Sequence, residues 1–389
     1  MNFKVFILAV SAFTVGLVEL IVGGILPVIA NDLNVSLAKA GQLITVFAFV
    51  YAISAPVLLS LTAKIERKRL YLIALFLFAI GNIITAISSI FFFVMVARIV
   101  TAMCTALIIV LSLTITSKIV EPYQRARALG IIMMGVSSSL VIGVPIGIFV
   151  TDLFGWRSVF LGIALLAVLS MVLIHKTLDS MPVAKVVSLK TQIKSLRNPK
   201  IYCAHLIVLF MLAGHYMLYA YFTPFLIEAF NMNSMWISVC YLIFGVASVV
   251  GNIIGGWLSD HLGSSKSILL VITFFAITLF VLPYATSFLP LFLFIMVVWG
   301  ALSWALTPPL QNYLIQISPK TSDIQQSINT SALQLGISLG SAIGGTSYAI
   351  LGSAMDLAKI GSILVVIALL FAILSLKIQS LKVKKGESK

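Results

Sequence analysis

Charged side chains are scarce in this sequence: they make up 9% of its 389 residues, whereas hydrophobic residues make up 61%. A water-soluble domain of this length needs a much larger charged fraction to cover its surface, so a soluble globular fold is excluded. The apolar residues gather in blocks long enough to cross a bilayer core of about 30 Å as helices, and they do not form short alternating segments typical of spanning strands. The sequence therefore predicts an all-α membrane protein.

Cysteine and the usual catalytic clusters are also nearly missing. The three cysteines, Cys104, Cys203 and Cys240, lie in or beside apolar blocks without the paired spacing of a metal site, and we interpret them as buried, unreactive thiols. The sequence contains no nucleophile elbow, no helically spaced acid pair and no phosphate-binding loop, which argues against an enzyme and against ATP as the energy source. A ring of filter residues, as in a channel, is not found either. We expect neither a metal nor a cofactor.

Cutting the chain at charged and turn-rich breaks predicts twelve spans in two groups of six. The predicted spans are 5–29, 42–62, 70–88, 90–117, 127–150, 158–178, 203–228, 236–258, 267–287, 289–316, 328–351 and 359–380. This gives an N-terminal six-helix bundle (1–178), a basic cytoplasmic linker (179–202) and a C-terminal six-helix bundle with a short basic tail (203–389). A weak repeat of Leu61-Thr-Ala-Lys-Ile-Glu-Arg-Lys as Leu258-Ser-Asp-His-Leu-Gly-Ser-Ser favours two related halves around a central cavity.

The positions of the basic residues predict the orientation of the chain. Every Lys and Arg except Lys39, Arg98, Arg157 and Lys359 falls on one side of the predicted spans, which also carries both termini. Basic loops face the cytoplasm, so both termini are expected there, and the net charge of +14 does not require a nucleic-acid partner. The first block is too long for the core of a signal peptide and is predicted to be a retained span.

Short motifs at the ends of spans carry a resemblance to a known family. The run from Gly256 through Asp260 to Gly263 is similar to the G-x-L-x-D-R-x-G loop of the major facilitator superfamily, and the run from Asp152 to Arg157 is similar to its D-x-x-G-W-R motif. The first-half copy of the loop departs from the pattern at its Gly, Asp and Gly positions, which hold Leu59, Ala63 and Glu66, but it keeps the basic Arg67, Lys68 and Arg69. The missing Asp puts the charge latch of that loop in doubt.

Further segments resemble one branch of that superfamily, the twelve-span drug:proton antiporters with AraJ-like sugar and purine exporters. Gly143, Pro145 and Gly147 resemble the Gly-Pro signature of the fifth span, although the same residues can simply permit close helix packing. The run from Val15 to Asp32 and the loop around Lys64 look closest to the purine base and nucleoside exporters of Gram-positive bacilli.

This resemblance implies a function and a location. It implies a monomeric secondary exporter of the bacterial plasma membrane that works by alternating access and exchanges a small molecule for protons, with the proton gradient as its energy source. Purine bases and nucleosides are the expected substrates; a broader drug or sugar exporter is the alternative. Lipid, protons and the substrate are its expected partners.

Two ionisable residues stand out because they lie within predicted spans. Of the eleven acidic residues only Glu19 is mid-span, where an ionised carboxylate is costly and where a proton carrier is needed. Arg98 is the basic residue within a span, at a similar depth, and it occupies the Arg position of the fourth-span motif of the family. We predict that the two couple proton movement to transport; the alternative is a pair that only holds helices together.

Polar and aromatic residues at helical spacing give candidate substrate contacts. The polar candidates are Thr101, Thr105, Ser112, His215, Gln334 and Ser338, and the aromatic candidates are Phe47, Tyr51, Tyr216, Tyr219, Trp299 and Trp304. Together they suit a flat heteroaromatic ligand that stacks and forms a few hydrogen bonds. The alternatives are Ser and Thr bonding to their own backbone, aromatic belts at the membrane interface, and a histidine that only packs.

Overall fold

The computed structural model describes residues 3–181, 192 and 195–386, and within these residues the regular structure is helical with no strand. The predicted all-α fold is therefore confirmed. Most of the predicted linker, residues 182–191 and 193–194, lies outside the described residues, as do residues 1–2 and 387–389.

The helices of the first half follow the predicted spans closely. They are α1 (Phe3–Gly24), α2 (Leu26–Asp32), α3 (Leu37–Leu61), α4 (Arg67–Ile87), α5 (Phe91–Ile119), α6 (Arg125–Ser138), α7 (Val144–Phe154) and α8 (Trp156–Thr177). Short 3-10 turns and one π-helical segment, Ser139–Gly143, join some of them.

The helices of the second half begin at Pro199, four residues before the predicted start of the seventh span. They are α9 (Pro199–Tyr219), α10 (Phe222–Phe230), α11 (Ser234–Leu262), α12 (Ser264–Val281), α13 (Leu289–Ala305), α14 (Thr307–Ile317), α15 (Ser322–Leu351) and α16 (Leu357–Gly386). Eleven helical segments of the described chain are long and apolar enough to cross a membrane. Helix α15, with 30 residues, is also long enough, but its polar residues make it less apolar than those eleven.

Several predicted spans are interrupted where the sequence has proline. The predicted span 5–29 is two helices, because Pro27 stands in the first turn of α2 and cannot donate a hydrogen bond back into α1. Pro308 has the same position at the start of α14, and Pro145 follows the π-helical segment at the start of α7. The predicted spans 127–150 and 289–316 still lie within single membrane-crossing segments, Pro122–Phe154 and Leu289–Ile317, so these prolines change the helix inside a span without ending the span.

The chain forms two compact units. One contains Met1–Val186 with Asn231–Leu242, and the other contains Val187–Phe230 with Ile243–Lys389. In the first unit α1 packs against α3, α5, α6, α7 and α8; in the second, α9 packs against both α15 and α16. The predicted bundle boundaries at 178 and 203 stay a prediction. Cys104 and Cys240 are buried as predicted, whereas Cys203, near the beginning of α9, is only half-buried.

A row of glycines fixes the contact between α15 and α9. Gly336, Gly340 and Gly344 stand four residues apart on α15 and face the backbone of α9. A Cβ added at Gly340 would lie 2.8 Å from the backbone carbon atoms of Ala213, and one at Gly344 would lie 2.9 Å from the carbonyl oxygen of Met217. Helices without side chains at such a seam approach closely, and this is the main source of packing energy between helices in lipid. Helix α9 is therefore held rigidly in its unit.

We predict that Gly340→Ala lowers the stability of the protein, because the new methyl group meets backbone that cannot move aside. The expected loss is about 1–3 kcal/mol, the usual cost of overpacking. Gly162→Ala is the matched control, since a Cβ at Gly162 on α8 meets nothing within 4 Å. Thermal unfolding in detergent should show a lower Tm for Gly340→Ala and an unchanged or higher Tm for Gly162→Ala. Equal Tm values would contradict the close seam.

Candidate functional site

Arg98 is a fully buried cation at the meeting point of three helices of the first unit. It lies on α5 with 1% of its surface exposed. Its Nη1 donates to the carbonyl oxygen of Val18 on α1 at 2.7 Å, and its Nε donates to that of Leu43 on α3 at 3.4 Å. The ring of Phe47 covers the guanidinium at 4.1 Å from its centroid. The charge is thus solvated by main-chain oxygens and an aromatic face.

Glu19 stands next to this cation, as its predicted depth requires. It follows Val18 on α1 and is half-buried, and its charge acts on both Arg98 and Tyr51. Phe47 and Tyr51 are one turn apart on α3, with their rings edge to face at 6.5 Å. The structure therefore gathers four of the predicted residues into one group: Glu19, Phe47, Tyr51 and Arg98.

The predicted polar stripe of α5 lies against neighbouring helices. The hydroxyl of Thr101 donates to the carbonyl of Arg98 at 3.1 Å, and its methyl faces Gly81 of α4. Ser112 donates to the Ile108 carbonyl at 2.7 Å and shares a 2.8 Å hydrogen bond with the Tyr71 hydroxyl. Thr105 is buried, and its hydroxyl has no hydrogen-bond partner. The hydrogen-bonding capacity of Thr105 is therefore unused, as is that of Thr116 three turns further along α5.

The glycines of the fifth-span signature face the helix that carries Glu19. A Cβ at Gly143 would lie 3.0 Å from Leu17 of α1, and one at Gly147 would lie 3.1 Å from the side chain of Ile21. Pro145 is buried between them at the start of α7. These residues bring α7 close to α1 on both sides of the level of Glu19.

At the predicted outer end of the first unit, the D-x-x-G-W-R motif forms a junction between helices. Arg157 makes a 2.5 Å ion pair with Asp32 and donates to the carbonyl of Ser88 at 3.1 Å. Gly155 links α7 to α8 with a φ of 81°, a backbone conformation that favours glycine. Asp152 is exposed and accepts a 2.9 Å hydrogen bond from Ser234.

At the other end of the first unit, the loop before α4 binds the end of α8. Lys68 Nζ donates to the carbonyl oxygens of His175, at 3.0 Å, and of Leu178. Glu66, which replaces a motif glycine, caps α4 by accepting from the backbone N–H groups of Lys68 at 3.1 Å and Arg69 at 2.9 Å. It also accepts from the N–H of Met181 at 2.6 Å, which lies near the beginning of the predicted linker.

The loop before α4 is therefore anchored without the missing Asp. The sequence analysis named Glu66 only as a departure from the motif and did not predict its capping role, because Ser, Thr, Asp and Asn are the usual N-cap residues. Arg67 itself is buried. In the second-half copy of the loop, Gly263 has a φ of 79° before α12, Asp260 is exposed and Gly256 is half-buried.

The second unit contains a cluster of aromatic rings around His215. This cluster comprises His215, Tyr216, Tyr219, Phe222, Phe244, Phe275 and Trp299. The His215 ring lies 5.2 Å from that of Tyr219, 5.4 Å from that of Trp299 and 6.1 Å from that of Phe244. His215 is 5% exposed and Trp299 is 0% exposed, and neither His215 Nδ1 nor Trp299 Nε1 has a hydrogen-bond partner.

The other predicted contacts of this unit lie near or outside the cluster. Gln334 and Ser338 are buried one turn apart on α15. Trp304 is half-buried on α13, and none of the described ring contacts joins it to the cluster. Sequence reasoning missed Phe222, Phe244 and Phe275, because nothing local distinguishes them among 25 phenylalanines.

Long apolar helices, with a buried charge in one unit and an aromatic cluster in the other, define a multi-span membrane protein with polar and aromatic groups in its interior. The sequence profile of the Major Facilitator Superfamily matches residues 8–344, with a second match over residues 237–386. The chain belongs to the major facilitator superfamily. It is therefore a membrane transporter and not an enzyme, as the sequence predicted.

Relatives and solved structures agree with this membership. The chain is 37% identical to the MFS-type transporter YbcL of Bacillus subtilis over 88% of both chains. It is 29% identical to the inner membrane transport protein YdhP of Escherichia coli over 88% of both, and 26% identical to a probable sugar efflux transporter of Mannheimia succiniciproducens over 96% and 93%. It also shares the fold of a bacterial homologue of the human lysosomal transporter Spinster, with a TM-score of 0.79, 16% identity and 96% of both chains covered.

We predict that the Glu66 anchor weakens in acid. Burial raises the pKa of the Glu66 carboxyl, but hydrogen bonds from the N–H groups of Met181, Arg69 and Lys68 outweigh burial and hold the pKa below its ordinary value. A carboxyl with a lowered pKa stabilises the fold above its ordinary pKa of about 4.3, and this contribution is lost as the pH falls through the lowered value.

The measurement is the Tm of Glu66→Ala against the parent protein from pH 7 to pH 3. The loss of the cap should cost about 1 kcal/mol at pH 7, and the difference should shrink towards zero in acid. Glu121→Ala is the control, because the Glu121 side chain caps no helix. A Tm difference that stays constant with pH would contradict the prediction.

Proposed function

We propose that this transporter exports neutral, flat heteroaromatic molecules, purine bases and nucleosides above all, from the bacterial cytoplasm in exchange for protons. It would act as a monomer in the plasma membrane, with both termini in the cytoplasm, by alternating access. The His215 cluster of the second unit would bind the substrate, and Glu19 with Arg98 in the first unit would carry the coupling.

The observation that carries the proposal is the pair of unpartnered polar atoms in the aromatic cluster. A buried polar group without a hydrogen bond costs about 1–3 kcal/mol, so most folded proteins satisfy nearly all of them. Here His215 Nδ1 and Trp299 Nε1 are both unpartnered within one group of rings. A ligand that stacks on the rings and bonds to these two atoms would recover this cost.

Purines have the matching chemistry. Their ring faces stack on aromatic side chains, and their edges carry both donors and acceptors for an indole N–H and an imidazole nitrogen. A strongly anionic ligand fits less well, because Arg98 is already bound by Val18, Leu43 and Phe47. The family resemblance of the first span supports the same substrates.

Sugar efflux is the second candidate, because a relative of the chain carries that description at 26% identity. A sugar could stack its C–H face on the rings, but it needs many more hydrogen bonds than two unpartnered atoms offer. Lipophilic cations, which Glu19 would attract, are the third class of candidate substrate and would indicate a broader drug exporter.

For substrate, cells that overproduce the protein should survive toxic purine analogues and lose preloaded radiolabelled hypoxanthine faster than control cells, in a protonophore-sensitive manner. His215→Phe keeps the ring and removes Nδ1, so it should slow this efflux roughly tenfold, as the loss of one buried hydrogen bond implies. His175→Phe, at the exposed end of α8, should leave the rate unchanged. Resistance to cationic dyes or release of sugars, without purine efflux, would replace the purine assignment by the broader one.

For coupling, Glu19→Gln should abolish proton-driven uphill transport while substrate counterflow without a gradient continues, because the amide keeps the shape but carries no exchangeable proton. Glu19→Asp should keep part of the activity. Proteoliposomes with an imposed pH gradient allow both measurements. If uphill flux in Glu19→Gln equals that of the parent protein, Glu19 is structural and coupling lies elsewhere.

A further inference from the structure

Only some of the nitrogens of the Arg98 guanidinium form hydrogen bonds. Nη1 and Nε are directed at the carbonyl oxygens of Val18 and Leu43, whereas Nη2 is buried with no hydrogen-bond partner. A guanidinium that could turn freely would exchange its donors among nearby acceptors. A neighbouring group must therefore restrain the orientation of the guanidinium plane, since Nη2 stays without a hydrogen bond.

Phe47 supplies that restraint. Its ring centroid lies 4.1 Å from the guanidinium carbon, within the range of a cation–π contact, and the ring is 1% exposed. Phe47 and Leu43 are four residues apart on α3, so a single turn of one helix provides both an oxygen for Nε and a ring for the guanidinium face. The edge-to-face contact with Tyr51 fixes the Phe47 ring in turn.

We propose that Phe47 is a positioning residue for proton coupling: it holds Arg98 so that Nη2, which neither carbonyl binds, is left for the Glu19 carboxylate. The inference rests on the proposed coupling role of Glu19. When Glu19 binds a proton it is neutral, and Arg98 keeps its contacts with the two carbonyls and the ring. When the proton leaves to water, the carboxylate accepts from Nη2 and the charges are paired. Phe47 is thus not a surface on which substrate stacks.

The surroundings leave few other groups to set this equilibrium. Among the described residues, Glu19 is the charged side chain whose field reaches Arg98. Tyr51 on α3 is the other titratable group on which Glu19 acts. The other helices packed against α1 are α6, α7 and α8, and their charged residues and histidine lie within three residues of the helix ends: Arg125, Arg127, Asp152, Arg157, His175 and Lys176.

The experiment compares Phe47→Leu with Phe47→Tyr, which keeps an aromatic face. Phe160→Leu is the matched control, since Phe160 is a buried ring of the same unit that contacts Trp156 at 5.7 Å instead of Arg98. Proteoliposome measurements give three quantities for each variant: uphill transport, counterflow without a gradient, and the pH profile of transport. Hypoxanthine is the probe, or else the substrate identified by the efflux assays.

In Phe47→Leu, the guanidinium should turn freely and stay paired with the Glu19 carboxylate over a wider pH range. The expected result is uphill transport reduced about tenfold, a pH profile moved by about one unit towards acid, and counterflow within twofold of the parent. Phe47→Tyr should restore the profile, and Phe160→Leu should leave it unchanged.

Two results would overturn the proposal. An unmoved pH profile in Phe47→Leu, in a protein where Glu19→Gln abolishes coupling, would show that Phe47 only packs. Lost counterflow with an unmoved profile would make Phe47 a substrate contact. Retained coupling in Glu19→Gln would instead contradict the proposed function itself, so the two failures are distinguishable.

Discussion

The structure of the first unit depends on keeping one cation in a medium that does not solvate it. A charged side chain near the middle of a membrane costs at least about 2.5–3.5 kcal/mol, and the cost is offset only where donors find acceptors. Arg98 meets this constraint with two main-chain oxygens, on α1 and α3, and one aromatic face. Because the oxygens belong to different helices, solvation of the charge also determines how α1, α3 and α5 approach one another.

The second unit depends on close helix packing instead of on the solvation of a charge. Its aromatic cluster around His215 is almost free of formal charge, so the packing of the rings depends more on rigid helices than on solvation of a charge. Glycines of α15 bring that helix against the backbone of α9, and Gly214 of α9 lies as close to Gly361 of α16. His215 therefore projects from a helix fixed on two sides, and its ring packs among Tyr219, Phe244 and Trp299.

The spans and the two ionisable residues within them could be predicted from the sequence, because a bilayer admits only long apolar helices and few charges. Apolar block length gives the spans, and a lone mid-span carboxylate and arginine identify Glu19 and Arg98 as special. The partners of Arg98 could not be predicted, since every residue has a carbonyl and only the fold decides which one is near. The contact between the Phe47 ring and Arg98 could not be predicted for the same reason, because a sequence gives the identity of a ring but not what lies against it. The capping role of Glu66 was not predicted, because comparison with the motif treated this residue only as a replaced glycine.

The bond from Arg98 to Val18 has a further consequence, which concerns tolerance to mutation. The acceptor is a peptide oxygen, so replacing Val18 by any residue that keeps α1 helical leaves the acceptor in place, and the same is true of Leu43. Alanine scanning would register the lost packing of these two buried side chains but not the acceptor role of their carbonyls. The identities of these two residues therefore reflect how their side chains pack, and the interaction that organises three helices has no side-chain signature on α1 or α3.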